Sequence, residues 1–118
     1  MGLTDIKMTV SNPADPSRLQ ELTFLIDSGA IFPVVPRETL AELGILPQRT
    51  ESFSLADCTH IEREVGTAMF TYKGKTSAAP VIFGEPGDAI LLGVVALESL
   101  GLVFDPLRRE LRPAVLRL

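Results

Sequence analysis

Glycine and proline are spread along the whole chain, nine of each in 118 residues, and they divide it into short apolar segments. Proline removes a backbone N–H, and glycine allows turns that other residues resist, so both types interrupt regular structure. Apolar segments this short suit strands of about four to eight residues better than long helices. The spacing therefore predicts a mainly β domain with tight turns.

Length and composition narrow the possible functions. A chain of 118 residues that is 46% hydrophobic fits a single domain over residues 1–118 with a real core. The net charge of −4 argues against a nucleic-acid partner, because such binders need basic surfaces. One cysteine, Cys58, and one histidine, His60, leave no basis for a disulfide framework or a metal centre. We therefore expect no metal and no cofactor.

No apolar run approaches the length of a membrane span, and residues 1–7 lack the basic and apolar regions of a signal peptide. We expect a cytoplasmic protein without a membrane partner, unless the chain is cut from a longer, membrane-anchored precursor.

The local patterns predict nine strands and two short helices. The predicted strands cover 6–10, 21–27, 31–35, 52–56, 61–72, 76–83, 89–93, 102–104 and 110–116. The predicted helices cover 36–44 and 95–101, and each ends in glycine. Residues 40–45 resemble 97–102, and each stretch follows an apolar strand, which suggests two related strand-turn-helix units.

The apolar run 22–26 leads into Asp27-Ser28-Gly29-Ala30. An acidic residue at this point is a carboxylate displayed where a buried strand enters a tight turn, which is a suitable place for catalysis. The same residues also suit a simple turn, in which Asp27 accepts backbone N–H groups and Gly29 supplies an unusual φ. The tripeptide alone does not separate the two interpretations.

A second apolar run, Ile90-Leu91-Leu92-Gly93, follows about sixty residues later, after a region that looks like hairpins. Together the two runs resemble the retropepsin-type aspartic proteases, and more closely the cellular and bacterial members than the viral ones. In that family, an apolar run ending in Asp-(Ser/Thr)-Gly-Ala and a later apolar triplet with glycine form the catalytic core. The resemblance covers residues 21–116.

This resemblance implies a closed β-barrel, the half of an acid protease, that acts as a homodimer on a polypeptide substrate. Asp27 would be the catalytic residue, since one aspartate per chain becomes a pair across a two-fold axis. Ser28 would donate a hydrogen bond across the interface, and Gly29 would let the backbone approach the substrate. Ala30 completes the active-site turn.

The family also has a hairpin flap above the substrate and an apolar floor below it. The flap and substrate-binding residues implied here are Ala56, Asp57, Cys58 and Thr59. The floor and pocket residues implied are Ile31, Leu92, Gly93 and Val94. Two departures stand out: Cys58 replaces the glycine usual at a flap tip, and Ile31 and Val94 replace a charged pair that retroviral members place beside the active site.

Three interpretations remain open at this point. The first is an aspartic endopeptidase that is active as a homodimer. The second keeps the fold and the dimer but has little hydrolytic activity, and it serves as a dimerisation or peptide-binding module. The third is an unrelated small β-barrel domain in which Asp27 only closes a turn.

Overall fold

The computed structural model describes residues 4–27, 29–115 and 117–118. Over these residues the chain is 55% strand and 11% helix. The strand content is more than twice the average of roughly 20–25% for globular proteins, so the mainly β prediction is confirmed.

Within the described residues there are nine strands and two short helices. The strands are β1 (Asp5–Asn12), β2 (Asp15–Ile26), β3 (Val34–Pro36), β4 (Arg49–Ser54), β5 (His60–Tyr72), β6 (Lys75–Gly84), β7 (Leu91–Leu92), β8 (Leu102–Asp105) and β9 (Glu110–Pro113). The helices are α1 (Arg37–Glu42) and α2 (Val94–Ser99).

Seven of these strands form one sheet in the order β1-β2-β7-β3-β6-β5-β4, and β8 and β9 form a separate hairpin. An additional antiparallel pairing joins β1 to β5, through Thr9 with Thr71 and Ser11 with Met69. This pairing connects the first strand of the order with one near its far end, so the sheet curves around its own core. The largest fully buried side chains include Phe24, Phe70, Phe83, Met8, Leu40 and Leu92.

The first hairpin is longer than the sequence predicted. The predicted strands 6–10 and 21–27 leave residues 11–20 for the connection, but only residues 13–14 lie between β1 and β2. The register shifts from Ser11 opposite Leu19 to Asn12 opposite Asp15, so Pro16 falls in a bulge. A bulged residue needs no ladder N–H, which is why proline is accepted there.

Two predicted strands are shorter than expected. The stretch 31–35 contributes only β3, and 89–93 contributes only the two residues of β7. β7 lies between β2, which runs parallel to it, and β3, which runs antiparallel. The chain must therefore cross from one side of β7 to the other between β2 and β3, and residues 29–33 make this crossing instead of pairing.

The two predicted helices are confirmed, and each is followed by a glycine in the left-handed region. Gly44 has φ +78° and Gly101 has φ +69°. A left-handed residue after the last turn lets the chain leave the helix, and glycine adopts it without strain. Among the described residues, no helix combines the length and the apolar character needed to cross a membrane.

Candidate active site

Asp27 lies at the point where β2 leaves the sheet. β2 runs parallel to β7, with Leu25 opposite Leu91 and Ile26 opposite Leu92. The Asp27 backbone N–H donates to the carbonyl oxygen of Leu92 at 3.4 Å, which extends the pairing by one more residue. Asp27 is half-buried. Pairing with β7 fixes its backbone, while its carboxylate reaches the surface.

The turn after β2 is closed by Asp27 itself. The backbone N–H of Gly29 donates to Asp27 Oδ1 at 2.9 Å, and the N–H of Ala30 donates to the Asp27 carbonyl oxygen at 3.1 Å. These are the contacts expected if Asp27 only closes a turn. They use one carboxylate oxygen, and among the described residues none donates a hydrogen bond to Oδ2. Ser28 lies outside the described residues.

The two sequence motifs meet at Gly93. The backbone N–H groups of Val94 and Val95, at the start of α2, donate to the carbonyl oxygens of Ala30 and Ile31, each at 3.1 Å. A Cβ atom added at Gly93 would lie 2.4 Å from the Ile31 carbonyl oxygen, which is closer than real Cβ atoms come. The crossing segment therefore rests directly on the Gly93 backbone, and this contact holds the Asp27 turn against the junction of β7 and α2.

A groove of about 510 Å³ opens beside this turn. Its wall is contributed by the crossing segment, by β4 and the start of the following turn, by β5, by the end of β6 and by the segment leading into β7. The lining residues include Gly29, Ala30, Ile31, Phe32, Val34, Phe53, Leu55, Arg63, Asp88 and Leu91. The wall is mostly apolar and is therefore suited to apolar side chains of a ligand.

Two aromatic rings shape the apolar wall. Phe32 from the crossing segment and Phe53 from β4 meet edge to face, with centroids 6.4 Å apart and planes at 81°. Ile31 lies at the margin of the groove, with 63% of its surface exposed. The groove thus presents apolar surface directly next to the Asp27 turn.

The structure distributes the predicted floor residues over two layers. Ile31 lines the groove, whereas Leu92 and Gly93 are buried behind it, and Val94 is half-buried at the start of α2. Leu91 lines the groove in place of Leu92. Successive strand residues face opposite sides, and a continuous apolar run contains no signal that tells which face is which.

The predicted flap is a hairpin turn between β4 and β5. The N–H of Leu55 donates to the Thr59 carbonyl oxygen at 2.8 Å, and the N–H of Cys58 donates to the Leu55 carbonyl oxygen at 2.9 Å. Cys58 has φ +69°, which normally favours glycine and costs other residues on the order of 1 kcal/mol. All the predicted flap residues are exposed, and Leu55 is the turn residue that reaches the groove.

One ion pair in the groove wall was not found from the sequence. Arg63 on β5 donates from Nε to Asp88 Oδ2 at 2.8 Å and from Nη2 to Asp88 Oδ1 at 3.0 Å. Only 19% of the Arg63 side chain and 25% of the Asp88 side chain are exposed. The two residues are 25 positions apart on different elements, and no local motif connects them.

The hydrogen bonds from Arg63 lower the pKa of Asp88 below its ordinary value of 3.8. A carboxylate whose pKa is lower in the folded than in the unfolded state stabilises the fold above the unfolded value, and this stabilisation disappears as the pH falls through the folded value. We therefore expect Asp88→Asn to lower the free energy of unfolding at pH 7 and to have a shrinking effect below pH 4.

Denaturant unfolding between pH 2 and pH 7 measures this difference. Glu51→Gln is the matched control, because Glu51 pairs with Arg49 at 2.8 Å but both side chains are 46% exposed, and exposed pairs contribute little. A constant difference between the wild type and Asp88→Asn over the whole range would contradict the prediction.

The described residues contain no group of three or more His, Cys, Asp and Glu side chains that could hold a metal ion. In comparisons with known proteins, no protein-family model matches the chain, and no curated protein matches it. The candidate site therefore rests on the residues and the geometry described above.

Proposed function

We propose that the protein is an aspartic endopeptidase that is active as a homodimer, with Asp27 as the catalytic residue of each chain. In this proposal the curved sheet is the closed β-barrel of a retropepsin-like fold. The observation that carries it is the Asp27 turn resting on Gly93 beside an apolar groove. Two motifs about sixty residues apart are in contact here, as the family resemblance implies.

Peptide hydrolysis by carboxylates requires two of them so close that they cannot both ionise easily, and the pair then holds one proton. The ionised carboxylate takes a proton from water, and the protonated one polarises the scissile carbonyl group. One chain supplies one such carboxylate in this turn. A two-fold axis beside Asp27 would supply the second, so the proposed site needs two copies.

The groove supports an extended peptide as the substrate. Among the described residues β4 pairs only with β5, so the backbone groups of its outer edge are free to pair with another strand. Residues 52–54 of this strand line the groove. A peptide bound there would add a strand along β4 and place alternate side chains against the apolar wall, which is a common mode of peptide recognition.

The proposal predicts that hydrolysis depends on dimerisation. With unfolded casein as the substrate near pH 5, the activity per chain should rise with protein concentration and follow the fraction of dimer measured by sedimentation in the same buffer. A monomer forms no carboxylate pair, so its activity should be near zero. Equal activity per chain in monomer and dimer would contradict a shared site.

A second function, peptide binding without efficient hydrolysis, is favoured by one observation. Cys58 occupies a left-handed position at the tip of the hairpin, where glycine would be unstrained and more mobile. If the tip cannot move over a bound peptide, binding persists while turnover is slow. A dimer that binds casein peptides and does not cleave them would support this alternative.

A further inference from the structure

The Arg63–Asp88 pair lies within the groove and joins β5 to the segment before β7. Arg63 belongs to β5, which returns from the hairpin tip, and Asp88 lies shortly before β7. Both residues line the groove beside Leu91 and Phe53. The rest of the groove wall is mostly apolar, and the packing of apolar side chains does not require a charged pair there.

Asp88 accepts three hydrogen bonds, and both of its carboxylate oxygens have partners. Its Oδ2 accepts from Arg63 Nε and from the backbone N–H of Glu85 at 2.8 Å, and its Oδ1 accepts from Arg63 Nη2. The N–H of Asp88 donates in turn to the Glu85 carbonyl oxygen at 2.9 Å. Asp88 is thus fixed by its own turn, and it fixes the plane of the guanidinium group.

Arg63 keeps donors to spare. Its remaining contact is from Nη1 to the carbonyl oxygen of Glu62 at 2.8 Å. The described residues therefore use one N–H on each of its three nitrogens, and each terminal nitrogen retains a second one. Donors without an acceptor, held in a fixed plane within a groove wall, are suited to bind an acceptor on a ligand.

The charges around Arg63 indicate which kind of acceptor fits. Arg37 bridges Glu64 and Glu85, each at 2.7 Å, next to the Arg63–Asp88 pair. The five side chains together carry two positive and three negative charges, so the cluster repels an additional carboxylate. A neutral carbonyl group of a peptide backbone meets no such repulsion.

We propose that Arg63 is a substrate-binding residue that donates a hydrogen bond to a backbone carbonyl group of an extended peptide, and that Asp88 is the residue that positions it. This inference rests on the proposed function, which identifies the ligand as a peptide. In this proposal the polar contact to the peptide comes from β5, whereas Ile31 and Val94 beside the Asp27 turn are apolar.

The test measures binding separately from hydrolysis. Fluorescein-labelled nonapeptides that tile unfolded casein are titrated against Asp27→Asn protein, with and without a second change at Arg63. We expect Arg63→Gln to weaken the tightest peptide about tenfold, the loss of roughly one charge-assisted hydrogen bond. Arg112→Gln removes the same charge from an ion pair with Asp105 on the separate β8–β9 hairpin, and it should leave the Kd within about twofold.

Ester replacements in the peptide show which of its carbonyl groups accepts the hydrogen bond from Arg63. Replacing each peptide amide of the ligand by an ester in turn weakens one carbonyl acceptor and removes one N–H donor, and only the loss at the acceptor should depend on Arg63. With Arg63 present, the ester at one position of the peptide should weaken binding more than the esters at neighbouring positions. This additional loss of affinity should vanish in Arg63→Gln. A merely structural Arg63 would give the same ester profile in both proteins. If Arg63→Gln does not fold, Arg63→Lys keeps the charge but not the planar fork, and it is expected to remove the same additional loss.

The outcomes separate the two proposals. Binding that depends on Arg63, in a protein whose wild type does not hydrolyse casein, supports this inference and overturns the endopeptidase. If the wild type hydrolyses casein and the Kd values for Arg63→Gln and Arg112→Gln are equal, this inference is overturned and the endopeptidase proposal stands. Absence of binding by every peptide overturns the inference as well.

Discussion

Asp27→Asn should abolish peptide hydrolysis while leaving the protein folded and dimeric. Asparagine has nearly the same shape, and its side-chain oxygen can still accept the Gly29 N–H that closes the turn at 2.9 Å. It cannot deprotonate water, so we expect the rate to fall by a factor on the order of 10³. In the proposed dimer the two Asp27 carboxylates face each other, so their replacement would remove this repulsion, and the dimer should be as stable as the wild type or more so.

Casein hydrolysis and sedimentation of the same sample decide this prediction. Asp15→Asn is the matched control, because Asp15 is exposed at the start of β2 and its Oδ1 also accepts the N–H of the residue two positions later, Ser17, at 3.2 Å. That variant should retain full activity. If Asp27 only closed a turn, Asp27→Asn would resemble Asp15→Asn in every measurement; hydrolysis retained within tenfold of the wild type would remove the catalytic role.

Gly93→Ala should be among the most destabilising single substitutions in this chain. The Gly93 backbone has φ −88° and ψ 170°, which alanine adopts without strain, so the whole effect is steric. The new Cβ would meet the Ile31 carbonyl oxygen at 2.4 Å and the Phe32 carbonyl carbon at 2.8 Å. These are backbone atoms that cannot rotate away, and we expect a loss on the order of 3 kcal/mol or more in the free energy of unfolding.

Gly74→Ala separates this steric effect from the backbone effect of losing a glycine. Gly74 has φ +82° in the β5–β6 turn, and nothing lies within 4 Å of an added Cβ. Its replacement should cost about 1 kcal/mol, through conformation alone. Denaturant unfolding compares the two variants; a Gly93→Ala loss no larger than that of Gly74→Ala would show that the crossing segment does not rest on Gly93 as described.

Sequence patterns were sufficient where the determining interactions are local. The helices α1 and α2 and their terminating glycines follow from residues within a few positions of each other, and the same holds for the hairpin around Lys73-Gly74. The long strand β5 was predicted nearly to its ends for the same reason. Local propensity and turn chemistry act before any tertiary contact is made.

The candidate site could be predicted only in part. The sequence singled out Asp27 and Gly93 as members of two motifs, but whether these motifs meet depends on the position of β7 between β2 and β3. That position also shortened the predicted strands 31–35 and 89–93. Pairing between distant segments is set by the packing of the whole sheet, and no window of neighbouring residues contains it.

The sequence by itself determined the class of the domain, the glycines that end both helices and the carboxylate at the end of β2, because apolar periodicity, glycine and proline act locally. Only the tertiary structure decided that Leu91 rather than Leu92 faces the groove, since a continuous apolar run does not specify its outward face. It alone joined Arg63 to Asp88, because complementary charges 25 residues apart become partners only when the sheet brings their elements together.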